Sequence, residues 1–389
     1  MILCFLCILC FLCVITPCFC VTVANFPMRI QIFVGTGGVG KTSVAAAAAL
    51  KTALGGSKCL VLTIDPARRL RTALGIDSRR TPAHIPTSDS PSPQSPQPGL
   101  EQRIPLDSLG GKGELWAALL DVGETLNRSV RTYAQPEQAR VVLAHPIYHV
   151  LLESLAGMQE LMAVERMDQA LQDGFEEIFI DTAPSRHAFE FVDKPEFFAE
   201  LVSFPLVRLV GRTYRWWERL GLARVGRKSF ELYTRVEEML GATLVRQILE
   251  FFSVFRSIAE GYARRARRTL ALLRDPRTAS FVIVTTPFKA RRDGDYFCAE
   301  MAKRKFPLGA LVVNRVWPPL DVQLDPNSPP ALQETVAWYR NVSQAHQRLW
   351  EQAATSFAGR IPKLVQVPEL SQDIDGLAAL HRISQFLER

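Results

Sequence analysis

The sequence predicts an α/β protein: a doubly wound, mostly parallel sheet carrying a helical insertion. Two observations support this. Short apolar runs recur along the chain and close on Gly, Asp, Thr or Asn, as strands buried on both faces do. The first two runs also flank an alanine-rich helical stretch. That makes the opening unit βαβ, which requires a parallel crossover with helices covering the sheet.

The elements follow in order. MRIQIFV (28–34) is a buried strand ending in glycine, 41–54 is a helix, and KCLVLTI (58–64) is a second buried strand closed by Asp65-Pro66. Residues 77–105 form a Pro/Ser tract that cannot bury enough apolar surface to order itself, and it reads as a disordered surface loop within one domain. Helical periodicity covers much of 113–173, and EEIFID (176–181) is a strand ending in an acid. Residues 196–273 read as a helical insertion rich in Phe and Trp. SFVIVTT (280–286) and GALVVN (309–314) are further buried strands, and 331–357 is a helix. RIPKLVQV (360–367) reads as an edge strand, and 374–388 as the closing helix. With no internal repeat, the chain holds one copy of this unit, spanning 28–389.

The 389 residues carry a formal net charge of +7, and the stretch from about 205 to 270 has roughly twice as many basic as acidic residues. Such a surface suits phosphates, acidic proteins, nucleic acid or anionic membrane, or is a solvated Arg-rich face. Six of the eight cysteines lie within the first twenty residues. Their CxxC spacing is not read as an iron–sulfur site, because the intervening pairs are apolar and no turn surrounds them. The segment has no basic flank and no cleavage site. Met28 is therefore read as the natural start, and 1–27 as a mis-called or unstructured apolar extension. Cys59 and Cys298 are far apart and form no metal motif, which suits a reducing cytoplasm.

The chemistry begins at GTGGVGKTS (35–43), which matches GxxxxGK[ST] between a strand and a helix. In such a loop the amides of Gly37, Gly38, Val39 and Gly40 curl around phosphate oxygens, and the helix adds its N-terminal dipole. Lys41 reaches the β- and γ-phosphates, Thr42 offers a hydroxyl to Mg²⁺, and Ser43 continues the cradle. The fold is then that of a P-loop NTPase. Asp181 ends a strand as a metal-holding acid does, or else caps the following segment. Asp65 ends another, facing the ligand crevice or serving as a cap.

Four stretches together resemble the ArsA-type ATPases, the arsenite-pump and tail-anchored-protein-targeting family. They are GTGGVGKTS (35–43), IDPARRL (64–70), DTAPSRHAF (181–189) and VVNR (312–315), with AGMQE (156–160) and VPELSQDIDGL (367–377) in the same order. The resemblance implies a Mg²⁺-dependent ATPase acting as a conformational switch. It implies that Asp65 orients the hydrolytic water with Lys41 on the phosphates, and that Thr42 and Asp181 serve Mg²⁺. Asn314 would meet the adenine edge, with Pro368 beside the base. It also implies a homodimer or a pair with a paralogous ATPase, a hydrophobic protein client, peripheral membrane contact, no nucleic acid and a cytoplasmic location.

The chain departs from the family pattern in three ways. Thr36 stands where relatives carry a signature lysine that reaches the partner's phosphates, and Arg68 and Arg69 are the cations nearest Asp65 in sequence. Arg186 replaces a glycine in the DTAP stretch. No cysteine pair or trio is placed for zinc or metalloid. The first two departures motivate one alternative, a nucleotide-dependent scaffold with little hydrolysis; a second, a metalloid-pump subunit, is disfavoured by the cysteine placement. The aromatics of 196–273 either pack that insertion onto the core or present a client surface, and Trp216-Trp217 cannot share one helix face.

Overall fold

In the computed structural model, which describes residues 29–64, 69–75, 101–154, 158–182, 242–325 and 327–387, every apolar run named above is a strand. The unit opens with β1 (Arg29–Val34), α1 (Lys41–Leu54), β2 (Lys58–Thr63) and α2 (Arg69–Ala73). Next come β3 (Glu101–Ile104), β4 (Glu114–Leu119), α3 (Val122–Tyr133), α4 (Pro136–Ala144), α5 (Pro146–Ser154), α6 (Met158–Gln172) and β5 (Glu177–Asp181). The remainder is α7 (Ala242–Arg274), β6 (Ala279–Thr285), α8 (Ala290–Arg304), β7 (Leu308–Val316), α9 (Pro330–Phe357), β8 (Lys363–Pro368) and α10 (Leu377–Phe386).

The eight strands lie in the order β3-β4-β2-β5-β1-β6-β7-β8. Every pairing is parallel except β3 with β4. Strand β1 shows why its sequence is almost wholly apolar. Ile30, Ile32 and Val34 join the core on one face, and Phe33 joins the core on the other. Helices α3 to α9 supply the first core and α1, α2 and α10 the second, so both faces of the parallel sheet are covered. Helix α1 buries Ala45, Ala46, Ala47 and Ala49. Such small side chains favour the helix and let its axis approach the sheet closely.

Two boundaries differ from the sequence reading. Residues 114–119, within the stretch read as helical, form β4, parallel to β2 with Lys58 opposite Glu114 and Thr63 opposite Leu119. ELWAAL contains good helix formers, but the open side of β2 offers a ladder of backbone partners, and tertiary pairing overrides the local preference. Residues 101–104, at the end of the stretch read as a Pro/Ser loop, form β3. This short polar strand pairs antiparallel with β4 and closes the sheet edge. Strand β8 lies at the opposite edge, as its sequence suggests. The extension 1–27, the rest of the Pro/Ser tract and residues 196–241, including Trp216 and Trp217, lie outside the described residues.

The described part of the predicted insertion is α7, and it packs onto the sheet's helical layer. Phe251, Phe255, Ile258 and Tyr262 are buried in the first core, and Tyr262 Oη donates to Leu161 O at 2.9 Å. Beside them, Arg265 makes a two-pronged pair with Glu165: Nη2 to Oε1 at 2.7 Å and Nε to Oε2 at 3.2 Å. Ser129 Oγ also donates to Glu165 Oε1. Glu165 is 1% exposed, so its charge depends on these donors. Removing it with Glu165→Ala leaves Arg265 without its buried counter-ion, and unfolding stability should fall by about 3 kcal/mol. The urea midpoint measures the loss. Glu165→Ala combined with Arg265→Ala should be less destabilised than the sum of the two single changes.

Candidate functional site

The chain passes from β1 over β5 to β2 in one direction, and from β5 over β1 to β6 in the other. This reversal opens a crevice at the carboxyl ends of the central strands, where open α/β sheets bind ligands. Residues 35–40 fill the turn from β1 into α1. Gly38 and Gly40 have φ of 79° and 91°, conformations in which a side chain is strained. Helix α1 starts at Lys41 with no acidic residue in its first turn, so its positive dipole end and amides face the loop.

The side chains at the loop converge. Lys41 is buried, and its Nζ donates to Thr36 O at 3.3 Å. Thr42 Oγ1 donates to Asp181 Oδ2 at 2.6 Å, and Thr63 Oγ1 donates to the same oxygen at 3.0 Å. Asp181, the last residue of β5, is 1% exposed. Thr42 and Asp181 are 139 positions apart in sequence, yet together they put a hydroxyl and a carboxylate side by side. Those are the hard oxygen donors that magnesium takes. The residue after Asp181 is also fixed, since Thr182 Oγ1 donates to Phe33 O at 2.7 Å.

On the other side, Asn314 Nδ2 donates to Val39 O at 2.9 Å. It lies within a register shift between Val313 and Val316 in β7, next to Arg315 with a φ of 61°. Next to it lies a pocket of about 210 Å³ lined by Ser43, Asn314, Arg315, Pro368, Glu369 and Ile374. Gly37 and Gly38 are exposed at the loop's outer edge.

One contact had no signal in the sequence. Thr36 Oγ1 donates to Asp293 Oδ2 at 2.8 Å, across 257 positions. Asp293 reads as an ordinary helical acid, and only the packing of α8 beside the loop gives it this neighbour. Asp65, Arg68 and the DTAP stretch beyond Thr182, with Arg186, lie outside the described residues, as does the side chain of Arg69. Ile64, the residue before Asp65, is anchored by its N–H to Asp181 O at 2.9 Å, and Gln159 Nε2 donates to its carbonyl. Cys59 is buried in β2, and burial together with Glu177 and Glu176 pushes its thiol well up. Cys298 is half-buried and pushed up by the same desolvation.

The chain is similar to known proteins over most of its length. The family described as anion-transporting ATPase matches residues 28–89 and 112–389. The putative arsenical pump-driving ATPase 1 of Aquifex aeolicus is 22% identical over 368 residues, covering 92% of this chain and 78% of that protein. ATPase GET3B of Arabidopsis thaliana is 25% identical over 308 residues, covering 76% and 66%. ATPase ARSA1 of Chlamydomonas reinhardtii is 26% identical over 291 residues, covering 72% of this chain and 34% of that protein. A putative arsenical pump-driving ATPase of Chlorobaculum tepidum is 28% identical over 173 residues, covering 43% and 36%. The matches to the last two span about a third of each relative's length.

Gly40 is constrained twice over. A Cβ there would lie 2.3 Å from Asn314 Nδ2, and the backbone conformation is itself unfavourable for a side chain. Gly40→Ala should lose the Asn314–Val39 hydrogen bond and about 2 kcal/mol of stability. Thermal unfolding measures this, and a midpoint equal to that of the parent chain contradicts it.

Proposed function

The chain belongs to the anion-transporting ATPase family, and on that premise we propose that it binds Mg²⁺–ATP and hydrolyses it as a conformational switch. The observation that carries the reading is the Thr42–Asp181 hydrogen bond at 2.6 Å beneath a glycine loop that also holds Lys41. Each residue has a part in this reading. The amides of residues 37 to 40 and Ser43 cradle the phosphates, and Lys41 balances charge on the β- and γ-oxygens. Thr42 and Asp181 hold magnesium, which when bound supplies positive charge to the same oxygens.

Asp65 orients the attacking water. Its neighbour Ile64 is tied to Asp181, so the water-positioning and metal-holding acids would respond to the γ-phosphate together. Asn314 and Pro368 border the pocket beside Ser43, the position proposed for the base. One amide hydrogen of Asn314 is used on Val39 O. The other N–H and the carbonyl remain as a donor–acceptor pair, which an adenine edge requires.

Two copies of the chain, or one copy with a paralogous ATPase, are the proposed working assembly. A hydrophobic client, peripheral membrane contact and a cytoplasmic setting complete the reading. Within the insertion Phe251, Phe255 and Tyr262 pack inward, and client contact is proposed for its remaining apolar side chains. No helix among the described residues is long and apolar enough to cross a membrane.

A second reading has its own support. Thr36 in place of a lysine, with its hydroxyl turned to Asp293, favours a nucleotide-dependent scaffold that releases little phosphate. Two substitutions distinguish the readings. Lys41→Ala should lower phosphate release about a hundredfold. Asp65→Asn should lower it by a similar factor while ATP affinity stays within about threefold. Phosphate release and equilibrium ATP binding are measured on the same preparations. Tight ATP binding with release no higher than in Lys41→Ala supports the scaffold, and no ATP binding at all removes both readings.

A further inference from the structure

Thr36 is a junction in the glycine loop. Its carbonyl accepts from Lys41 Nζ at 3.3 Å, and its hydroxyl donates to Asp293 Oδ2 at 2.8 Å. Asp293 is held in turn from the sheet, where Thr285 Oγ1 at the end of β6 donates to the same oxygen at 3.2 Å. Arg292 Nη2 lies 3.5 Å from Oδ1 but its side chain is 75% exposed, so solvent screens that pair. The Asp293 carboxylate is 3% exposed, and a carboxylate is withdrawn from water only where hydrogen bonds replace its hydration. Two hydroxyls supply them here, and one belongs to the loop.

The geometry points to Asp293 as a positioning residue that presets the glycine loop through the Thr36 hydroxyl; this rests on the nucleotide-binding reading of that loop. The contact is one of three that bind the loop to the β6–β7 half of the sheet. Gly35 presses against β6 so closely that a Cβ would lie 2.1 Å from Val284 O. Asn314 holds Val39 O from β7. With residues 35, 36 and 39 anchored, the exposed Gly37 and Gly38 are left to adapt to a ligand.

Anchoring of this kind orders the backbone donors during folding. A phosphate then meets amides that are already aimed, and the cost of ordering them does not reduce its affinity. The residue held by Asp293 is also one that receives the Lys41 ammonium, through its carbonyl. Position 36 thus acts within its own subunit, through a neutral hydrogen-bonding side chain.

The test uses the full chain with Thr36→Val, Thr36→Ser, Asp293→Ala and the double variant Thr36→Val/Asp293→Ala. Amide hydrogen exchange at residues 36–40 is followed without nucleotide, and Mg²⁺–ATP affinity is titrated separately. Thr36→Val keeps the shape but loses the hydroxyl. It should speed exchange at these amides and weaken ATP binding about tenfold, the scale of one hydrogen bond to a charged group. Thr36→Ser should restore both to within about twofold. The double variant should bind ATP no more weakly than Asp293→Ala alone, because the two changes cut one contact.

The proposal is overturned if Thr36→Val leaves exchange unchanged, if Thr36→Ser fails to rescue it, or if the two affinity losses add. Should Asp293→Ala fail to fold, the Thr36→Val and Thr36→Ser pair decides. If the parent chain binds no ATP, the nucleotide reading fails on its own and loop exchange still decides the latch.

Discussion

The site is organised around a single carboxylate. Asp181 ends the strand between β2 and β1, and its Oδ2 accepts from Thr42 at the start of α1 and from Thr63 at the end of β2. Three chain segments therefore meet on one buried oxygen. A carboxylate that is 1% exposed is tolerable only with such donors. Their presence ties the first turn of α1, and with it Lys41, to a defined place over the sheet. The parallel register of β1 and β2 on either side of β5 makes this possible, since it brings all three carboxyl ends to one level.

The glycine loop depends on that arrangement but is not held by it alone. Its outer residues are fastened to the other half of the sheet through Gly35 on β6, Thr36 on Asp293 and Val39 on Asn314. The loop thus spans the reversal point and is anchored on both sides. A movement of β6–α8 relative to β5–α1 would be felt first by Gly37 and Gly38, the two residues between the anchors. Coupling of bound nucleotide to the rest of the molecule needs a path of this kind, made of discrete hydrogen bonds.

The opposite face of the sheet has different chemistry. There α6 carries Glu165, Arg166 and Asp168, all 1% exposed. Glu165 pairs with Arg265 and Asp168 with Arg268, both on α7, and Arg166 pairs with Glu101 on β3. The Arg268 side chain is largely exposed, but the other two pairs are mostly buried, and such pairs contribute little net stability while penalising any packing that separates them. They therefore specify how the long helix α7 and the edge strand sit against α6. Phe251 and Phe255 of α7, which look like a binding surface in the sequence, are part of this packed layer.

Much of this was legible from the sequence. The strands at 29–34, 58–63, 177–181, 279–285 and 308–316 are apolar runs, and a strand buried on both faces has no other composition open to it. The glycine spacing of 35–42 likewise marks the phosphate loop, because only glycine takes the backbone conformation at residues 38 and 40 without strain. By contrast, β4 was hidden, since ELWAAL suits a helix until β2 offers it a ladder. Glu101–Ile104 was hidden because a polar edge strand has no apolar face to advertise it. The Thr36–Asp293 and Asn314–Val39 bonds join residues 257 and 275 positions apart. Local sequence determined which residues could form the loop, because backbone conformation is a local property. Which side chains hold that loop in place was decided only by the tertiary structure, because hydrogen bonds between distant residues exist only once the sheet has set their distance.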